Sequence, residues 1–322
     1  MAQTTAASEY TFGFVSAVQA PPASSGRHCG EASHSHVLAL SKQLSSDLEH
    51  SNVGYTVHGM FGIFADGGAI NRNADGSEKT VRGRIVKPNY LNYSHFKTRF
   101  IFDHTCHTFK RASHGTQRQL SPGVCEIGFN AGLSAMLLLE ATPPNVRITS
   151  FDVNAFIWTT AASKLVSRAY GSRFEVVWGD SRLTLPKHKA KRGSSFSCGL
   201  TFVDGLKDPS GKRQHLRDLR QVSPAGAWIF IDDVHWGTVP CASTGTTAEG
   251  AIHCVVGPAP AESDMENRTM PWRNEGAMLA YAEGAIKMLE CRWPPALNER
   301  RDADGWRQNY KHEGLCLATV VA

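Results

Sequence analysis

Three aspartates follow directly on apolar runs, and their positions are suited to holding a metal ion. Asp204 ends "GLTFVD", and Asp232 and Asp233 end "WIFIDD". If both runs are neighbouring parallel strands, their carboxyl ends meet at one edge of the sheet and the three carboxylates converge. Such a cluster needs a proton or a cation to offset its repulsion. Oxygen-only ligands favour Mg²⁺, Ca²⁺ or Mn²⁺, so these aspartates predict a divalent-metal site. In the competing interpretation, Asp204 contacts an organic cofactor and the other two cap a turn.

A glycine-bearing turn follows another apolar run, in "VCEIGFNAG". Gly128 and Gly132 permit a sharp bend and a close approach of a ligand. The motif is not a dinucleotide fingerprint, because Asn130 stands where the second glycine belongs, and it lacks the Lys-Ser/Thr of a phosphate-binding loop. Glu126 would repel a pyrophosphate but suits a cationic ligand or an amino group. The turn therefore predicts a ligand without phosphate.

Polar residues at two further strand ends indicate what that ligand is. Asp152 lies about as far beyond the glycine turn as a ribose-binding carboxylate does. Asp180 and Ser181, in "GDS", are placed to meet an adenine amino group. A positively charged ligand with ribose and adenine but no phosphate is S-adenosylmethionine. The predicted cofactor-binding residues are Glu126, Gly128, Asn130, Gly132, Asp152, Asp180, Ser181 and Asp204.

These motifs resemble those of class I S-adenosylmethionine-dependent methyltransferases. Over residues 121 to 236 the chain is most similar to the catechol O-methyltransferase-like branch, and more loosely to metal-dependent antibiotic and sugar O-methyltransferases. The similarity is carried by "GLSA" at 132–135, "DVN" at 152–154, "DGLK" at 204–207 and the pair Asp232-Asp233. The resemblance implies a Rossmann-like fold and magnesium held by the three aspartates.

The same resemblance assigns the general base to Lys207, at the end of "DGLK". A partly desolvated lysine beside the metal site is able to take the acceptor's proton, because burial lowers a lysine pKa. His235 is the competing base, and Asp208 is a weaker candidate. Two departures from the catechol enzymes stand out: Asp233 replaces their Asn, as in the antibiotic enzymes, and Leu206 replaces the aromatic residue beside the lysine.

The elements that must position these residues alternate between strands and helices from residue 121 onward. The pattern predicts an α/β fold with a mostly parallel sheet and helices on both faces. It ends with a long helix over 272–289 and a last strand in "EGLCLATVV". We expect the cofactor-binding domain to span 121–322. A loose tail over 1–33 and a helical or irregular cap over 34–120 precede it. His104 and His107 share a helical face, which we expect to pack over the site rather than to bind zinc.

Composition and charge argue against several classes of function. The 322 residues carry a formal charge of only +5, so no nucleic-acid partner is expected, and the basic run at 186–193 is interpreted as a solvated loop. No apolar stretch is long enough to cross a membrane. Eight scattered cysteines without a CxxC pair indicate reduced thiols in a cytoplasmic protein. The N-terminus is a poor secretory signal.

The sequence thus predicts a methyltransferase acting on a hydroxyl of a small molecule, with S-adenosylmethionine and Mg²⁺, or another divalent cation, as cofactors. Two alternatives remain open. One is a metal-free N- or O-methyltransferase, and the other is a non-catalytic module that keeps the fold and binds the cofactor. The acceptor and the oligomeric state have no readable signal in the chain.

Overall fold

The structure is a computed structural model. It describes residues 80–81, 84–85, 93–113, 123–155, 159–206, 208–235, 237–248, 250–259, 275–293 and 313–322. Two short strands, β1 (Thr80–Val81) and β2 (Arg84–Ile85), pair with each other. The other nine described strands form one sheet.

Five parallel strands make up the half of this sheet that the sequence predicts most clearly. They are β3 (Gly123–Ile127), β4 (Arg147–Asp152), β5 (Phe174–Trp178), β6 (Cys198–Val203) and β7 (Trp228–His235). Their order is β5-β4-β3-β6-β7, with parallel pairing throughout. Every residue of β6 is buried, as expected for a central strand covered on both faces. The predicted site residues lie at or just after the ends of all five strands.

Helices cover both faces of the sheet, as predicted. They are α1 (Tyr93–Ser113), α2 (Leu133–Ala141), α3 (Thr159–Tyr170), α4 (Ser181–Arg192), α5 (Pro209–Val222) and α6 (Glu275–Ala282). Alternate residues of β7 enter different cores: Phe230 packs in one cluster with Phe100 of α1, whereas Ile231 packs in the other with Met278 of α6. The Rossmann-like fold class is confirmed.

Four antiparallel strands extend the sheet beyond β7. They are β8 (Cys241–Thr246), β9 (Ile252–Val256), β10 (Ile286–Trp293) and β11 (Glu313–Val320). The order continues β7-β11-β10-β9-β8. Of these, β11 is the predicted last strand. By contrast, no strand is predicted where β8 and β9 lie, because the polar and small residues of this segment mask the strand pattern.

The long helix predicted over 272–289 is wrong in its second half. Helix α6 ends at Ala282, and Gly284 adopts a positive φ of 72°, the conformation that commonly ends a helix. The chain then enters β10, which lies between β11 and β9. The apolar residues of "AIKML" fit either period over so short a run, which is why the pattern misleads.

The basic run at 186–193 is also assigned differently. It forms the last turns of α4 instead of a loop, with Lys189, Lys191 and Arg192 in the final turn. Cations at this end of a helix interact favourably with its dipole, so the charge pattern has a local structural reason.

The expectation of reduced thiols is wrong for six of the eight cysteines. Disulfides join Cys125 to Cys198, Cys241 to Cys254 and Cys291 to Cys316. Each bond links neighbouring strands of the sheet, β3 to β6, β8 to β9 and β10 to β11. The partners are 73, 13 and 25 residues apart in sequence. Only the strand order brings them together, so a search for closely spaced cysteines does not find them. The cytoplasmic prediction loses the support that it drew from reduced thiols.

Several predictions fall on residues that the structure does not describe. The tail over 1–33 and most of the cap over 34–120 lie outside the described residues, as does Lys207. Helix α1 belongs to the predicted cap region. None of the described helices has the length and apolar character needed to span a membrane.

Candidate active site

The turn between β3 and α2 has the backbone conformation that its glycines predict. Gly128 and Gly132 have φ values of 94° and 83°, and Asn130 between them has 49°. A Cβ on Gly128 would lie 2.5 Å from the carbonyl oxygen of Asp204. The amide of Asp204 in turn donates to the carbonyl of Ile127. The turn is therefore packed directly against the end of β6, where the first predicted metal ligand lies.

Glu126 lies inside the protein rather than at the mouth of the turn. Its side chain is fully buried. Ser134 of α2 donates to one carboxylate oxygen, and Ser150 of β4 donates to the other at 2.5 Å. Burial raises the pKa of Glu126 to about 7, although the two hydroxyl hydrogen bonds oppose the rise. Through these hydrogen bonds the carboxyl group connects β3 to α2 and β4. It can affect a ligand at the turn only electrostatically or through Ser134.

Asp152 ends β4 with its carboxylate directed at the glycine turn. One oxygen accepts a hydrogen bond from the amide of Asn130 at 3.0 Å, and the other accepts from the amide of Asn154 at 2.6 Å. Each carboxylate oxygen can accept more than one hydrogen bond. Asp152 thus fixes the turn and retains acceptor capacity for a ligand's hydroxyl groups.

Asp180 and Ser181 lie at the end of β5, where Asp180 caps α4. Its carboxylate accepts from the amide of Arg182 at 2.9 Å and pairs with the guanidinium of the same residue. These hydrogen bonds lower the pKa of Asp180. The hydroxyl of Ser181 lies 2.7 Å from Nε2 of His215, and burial lowers the pKa of His215 to about 4. Arg182 and His215 therefore adjoin the predicted adenine site. No sequence motif points to either residue.

The three aspartates do converge. Asp204, Asp232 and Asp233 each offer a carboxylate oxygen, and these atoms all lie within 4.8 Å of one another. Asp233 has a positive φ of 55°, at a point where the pairing of β7 with β11 shifts register. That local irregularity departs from strict strand alternation and allows two consecutive side chains to serve one cluster.

Two lysines contact the acidic cluster, and neither was predicted. The ammonium of Lys97 on α1 donates to Oδ1 of Asp232 at 2.5 Å and lies 3.9 Å from Oδ1 of Asp233. Lys212 of α5 is fully buried and donates to the backbone carbonyl of Asp232 at 2.7 Å. The cluster therefore combines three carboxylates with two nearby ammonium groups, one on a carboxylate of the cluster and the other on the backbone carbonyl of Asp232. Lys97 lies 135 residues from Asp232 in sequence, so no local pattern connects them.

The predicted bases are only partly described. His235 is the last residue of β7 and is buried, and its carbonyl accepts from Thr238. The register shift interrupts the alternation of side chains along β7. The two-residue spacing from Asp233 to His235 therefore does not by itself place both side chains on the same face of the sheet. The weaker candidate, Asp208, caps α5 by accepting from the amide of Gly211. Its pKa is lowered by a hydrogen bond from Ser210, which makes it a poor base.

The two histidines on α1 have different surroundings. His104 is half-buried and lies 2.8 Å from Glu290 of β10, whereas His107 is exposed. His253 of β9 contacts the other oxygen of Glu290 at 2.8 Å. Burial alone would raise the pKa of Glu290, but these histidines hold it at about 2. This cluster fastens α1 to the antiparallel half of the sheet.

Comparison with known proteins identifies the central part of the chain. Residues 125–234 match the family described as "Methyltransferase domain". No curated protein sequence is significantly similar to the chain.

Solved structures with a similar backbone arrangement include two O-methyltransferases. TomG from Streptomyces achromogenes, in complex with SAM, is 15% identical, with 70% of this chain and 80% of that chain covered and a TM-score of 0.44. The enzyme from Bacillus cereus, in complex with SAH, is 12% identical, with 90% and 91% covered and a TM-score of 0.44. At these values the similarity carries no argument about substrate or residue roles.

The matched family coincides with the strands and turns that form the site. Its residues run from β3 to β7, and they include the glycine turn, Asp152 and the acidic cluster. These residues therefore form a methyltransferase domain, and the protein is an enzyme.

Proposed function

We propose that this enzyme transfers the methyl group of S-adenosylmethionine to a hydroxyl oxygen of a small molecule, with a divalent cation held by Asp204, Asp232 and Asp233. The observation that carries the proposal is the approach of these three carboxylates to within 4.8 Å of one another beside the glycine turn. A donor set of oxygens alone fits Mg²⁺ or Mn²⁺. When bound, such a cation would supply Lewis acidity that lowers the pKa of the acceptor hydroxyl.

The residues at the strand ends have separate roles in this proposal. Asp152 accepts hydrogen bonds from the ribose hydroxyls, and the turn over 128–132 faces the cofactor's methionine part. Asp180 and Ser181 meet the adenine ring. Asp204 lies between the cofactor turn and the acidic cluster, so a methyl donor and an acceptor oxygen would be brought together there.

We propose Lys207 as the general base, with His235 as its rival. Lys207 follows Asp204 by three residues, and His235 follows Asp233 by two. A general base contributes a factor of roughly 10² to 10⁴ in rate. Lys207→Met should therefore lower kcat by about that factor with little change in cofactor affinity, whereas His235→Gln should retain more than about a tenth of the rate. The reverse pattern would assign the base to His235.

The metal requirement is tested by methyl transfer from labelled S-adenosylmethionine to a panel of hydroxyl and amine acceptors. We expect EDTA to abolish transfer to hydroxyl acceptors and Mg²⁺ or Mn²⁺ to restore it. Asp233→Ala should raise the metal concentration needed. Asp103→Ala is the matched control, because that carboxylate is exposed on α1. Transfer at the full rate in EDTA would overturn the metal requirement, and transfer only to amines would overturn the choice of oxygen.

One observation favours a second candidate, a metal-free methyltransferase. Lys97 already places a positive charge 2.5 Å from Asp232, so the cluster has a partner without any metal ion. This candidate predicts full activity in chelator and loss of activity in Lys97→Met. The two candidates therefore give opposite results in the EDTA experiment.

A further inference from the structure

Lys97 is fixed to the acidic cluster by the packing of its own helix. The side chain is largely buried, with 11% of its surface exposed, and those of Asp232 and Asp233 are similarly buried at 12% and 14%. An ammonium group in such surroundings is costly to bury without a carboxylate partner. The pair is therefore part of the folded structure and differs in kind from an exposed surface ion pair.

Two further residues of α1 hold the helix against β7 and β10. Phe100, one turn after Lys97, makes an edge contact with Phe230 of β7, with ring centroids 5.9 Å apart. The guanidinium carbon of Arg292 on β10 lies 4.1 Å from the centroid of the Phe100 ring, over its face. His104 pairs with Glu290. Lys97, Phe100 and His104 thus occupy one face of α1, which directs Lys97 at the end of β7.

We propose that Lys97 is a built-in counter-cation that competes with a divalent cation for Asp232. This inference rests on the proposed function, since it requires the three aspartates to accept a metal ion. A divalent cation and an ammonium group on the same carboxylate repel each other strongly in a partly buried site. Metal binding must therefore displace Lys97 from Asp232. The start of α1 is then linked to occupancy of the metal site.

The test is a Mn²⁺ titration of the full-length protein saturated with S-adenosylhomocysteine, with free Mn²⁺ measured by electron paramagnetic resonance. Lys97→Met keeps the apolar stem and removes the charge, and Lys97→Arg keeps the charge. Lys110→Met is the matched control, because Lys110 is exposed on the same helix. We expect Lys97→Met to bind Mn²⁺ at least about tenfold more tightly than the wild type. Lys97→Arg and Lys110→Met should remain close to the wild type.

A second readout is the rise in melting temperature on adding Mn²⁺. It should be larger for Lys97→Met than for the wild type, because the ion then replaces a missing counter-charge. Affinity for S-adenosylhomocysteine, measured by calorimetry, checks that each variant is folded. If Lys97→Met folds only when Mn²⁺ is present, the result supports the inference, and Lys97→Gln repeats the test with a polar side chain.

The possible failures are distinguishable. Equal and measurable Mn²⁺ affinity in the wild type and Lys97→Met would overturn the competition and leave the metal site intact. No Mn²⁺ binding in any variant, with S-adenosylhomocysteine still bound, would overturn both the competition and the metal part of the proposed function. Weaker Mn²⁺ binding in Lys97→Met would also overturn the competition, because it would make Lys97 a support of the site.

Discussion

Glu126 is fully buried between α2 and β4, where Ser134 and Ser150 donate to its two oxygens. From the sequence, a carboxylate before a glycine turn indicates contact with a cationic ligand. The structure gives it a different local task, because both oxygens are engaged inside the protein. Burial favours the neutral form of the carboxyl group. The stability of the fold therefore depends on whether Glu126 is protonated.

Replacing Glu126 by Gln should change how stability depends on pH. The pKa of Glu126 is about 7 in the folded state, against an ordinary value of 4.5 for a glutamate. The raised pKa stabilises the protonated folded state below about pH 4.5, and this contribution is lost as pH rises toward 7. Relative to Glu126→Gln, the wild type should lose up to about 3 kcal/mol of unfolding free energy across that range.

Denaturant unfolding at pH 5 and pH 8 measures this difference. The comparison with the variant removes the contribution of His215, whose lowered pKa has the opposite effect in part of the same range. Glu175→Gln is the control, because Glu175 is exposed on β5. Parallel pH profiles for the wild type and Glu126→Gln would show that the buried carboxyl group does not carry this linkage.

Residue types and strand ends were enough to predict the acidic cluster and the position of Asp152 beside the turn. Asp204, Asp232 and Asp233 converge because parallel strands end at the same edge, which is a rule of topology. Lys97 could not be predicted in this way. Its contact with Asp232 depends on how α1 packs across the sheet, and nothing in the sequence near either residue encodes that packing.

At the scale of elements, the turn between β3 and α2 depends on the glycine at 128. Gly128 and Gly171 both have positive φ values, 94° and 58°, yet only Gly128 is crowded. An alanine at 171 meets nothing within 4 Å, whereas one at 128 would approach Asp204 to 2.5 Å. A comparison of alanine substitutions at the two positions therefore separates the strain of the backbone conformation from the contact with the end of β6.

We expect Gly171→Ala to cost about 1 to 2 kcal/mol, the strain of a left-handed residue. Gly128→Ala should cost about 1 to 3 kcal/mol more, as overpacking does, and should weaken S-adenosylhomocysteine binding. Chemical denaturation and calorimetry measure the two effects. Equal destabilisation by the two substitutions would mean that the turn moves away from Asp204 without loss, so that the close approach has no structural role.

The strands of the antiparallel half show where periodicity is insufficient. In 286–293 the burial pattern does not alternate strictly, and in 241–246 every residue is exposed. Neither segment has the apolar run that marks a buried parallel strand. Both become strands because a neighbouring strand offers an edge for hydrogen bonding, so tertiary context outweighs local propensity.

At the scale of the whole molecule, disulfides connect strands in both halves of the sheet. Cys125–Cys198 joins two central parallel strands, and the other two bonds join neighbouring strands of the antiparallel extension. A cross-link stabilises mainly by restricting the unfolded chain, and longer loops give larger effects. The bond across 73 residues should therefore contribute more than the bond across 13.

The disulfides can be tested by counting thiols in protein purified without reductant and then denatured. Of the eight cysteines, no more than two should react, namely Cys106, which lies outside the three disulfides, and Cys29, which lies outside the described residues. All eight should react after reduction. The double substitution Cys125→Ala/Cys198→Ala should cost about 2 to 4 kcal/mol of unfolding free energy. Cys106→Ala, a buried cysteine outside the bonds, controls for lost packing. Eight reactive thiols without reduction would restore the prediction of reduced cysteines and, with it, the argument for a cytoplasmic protein, because disulfides are rare in that compartment.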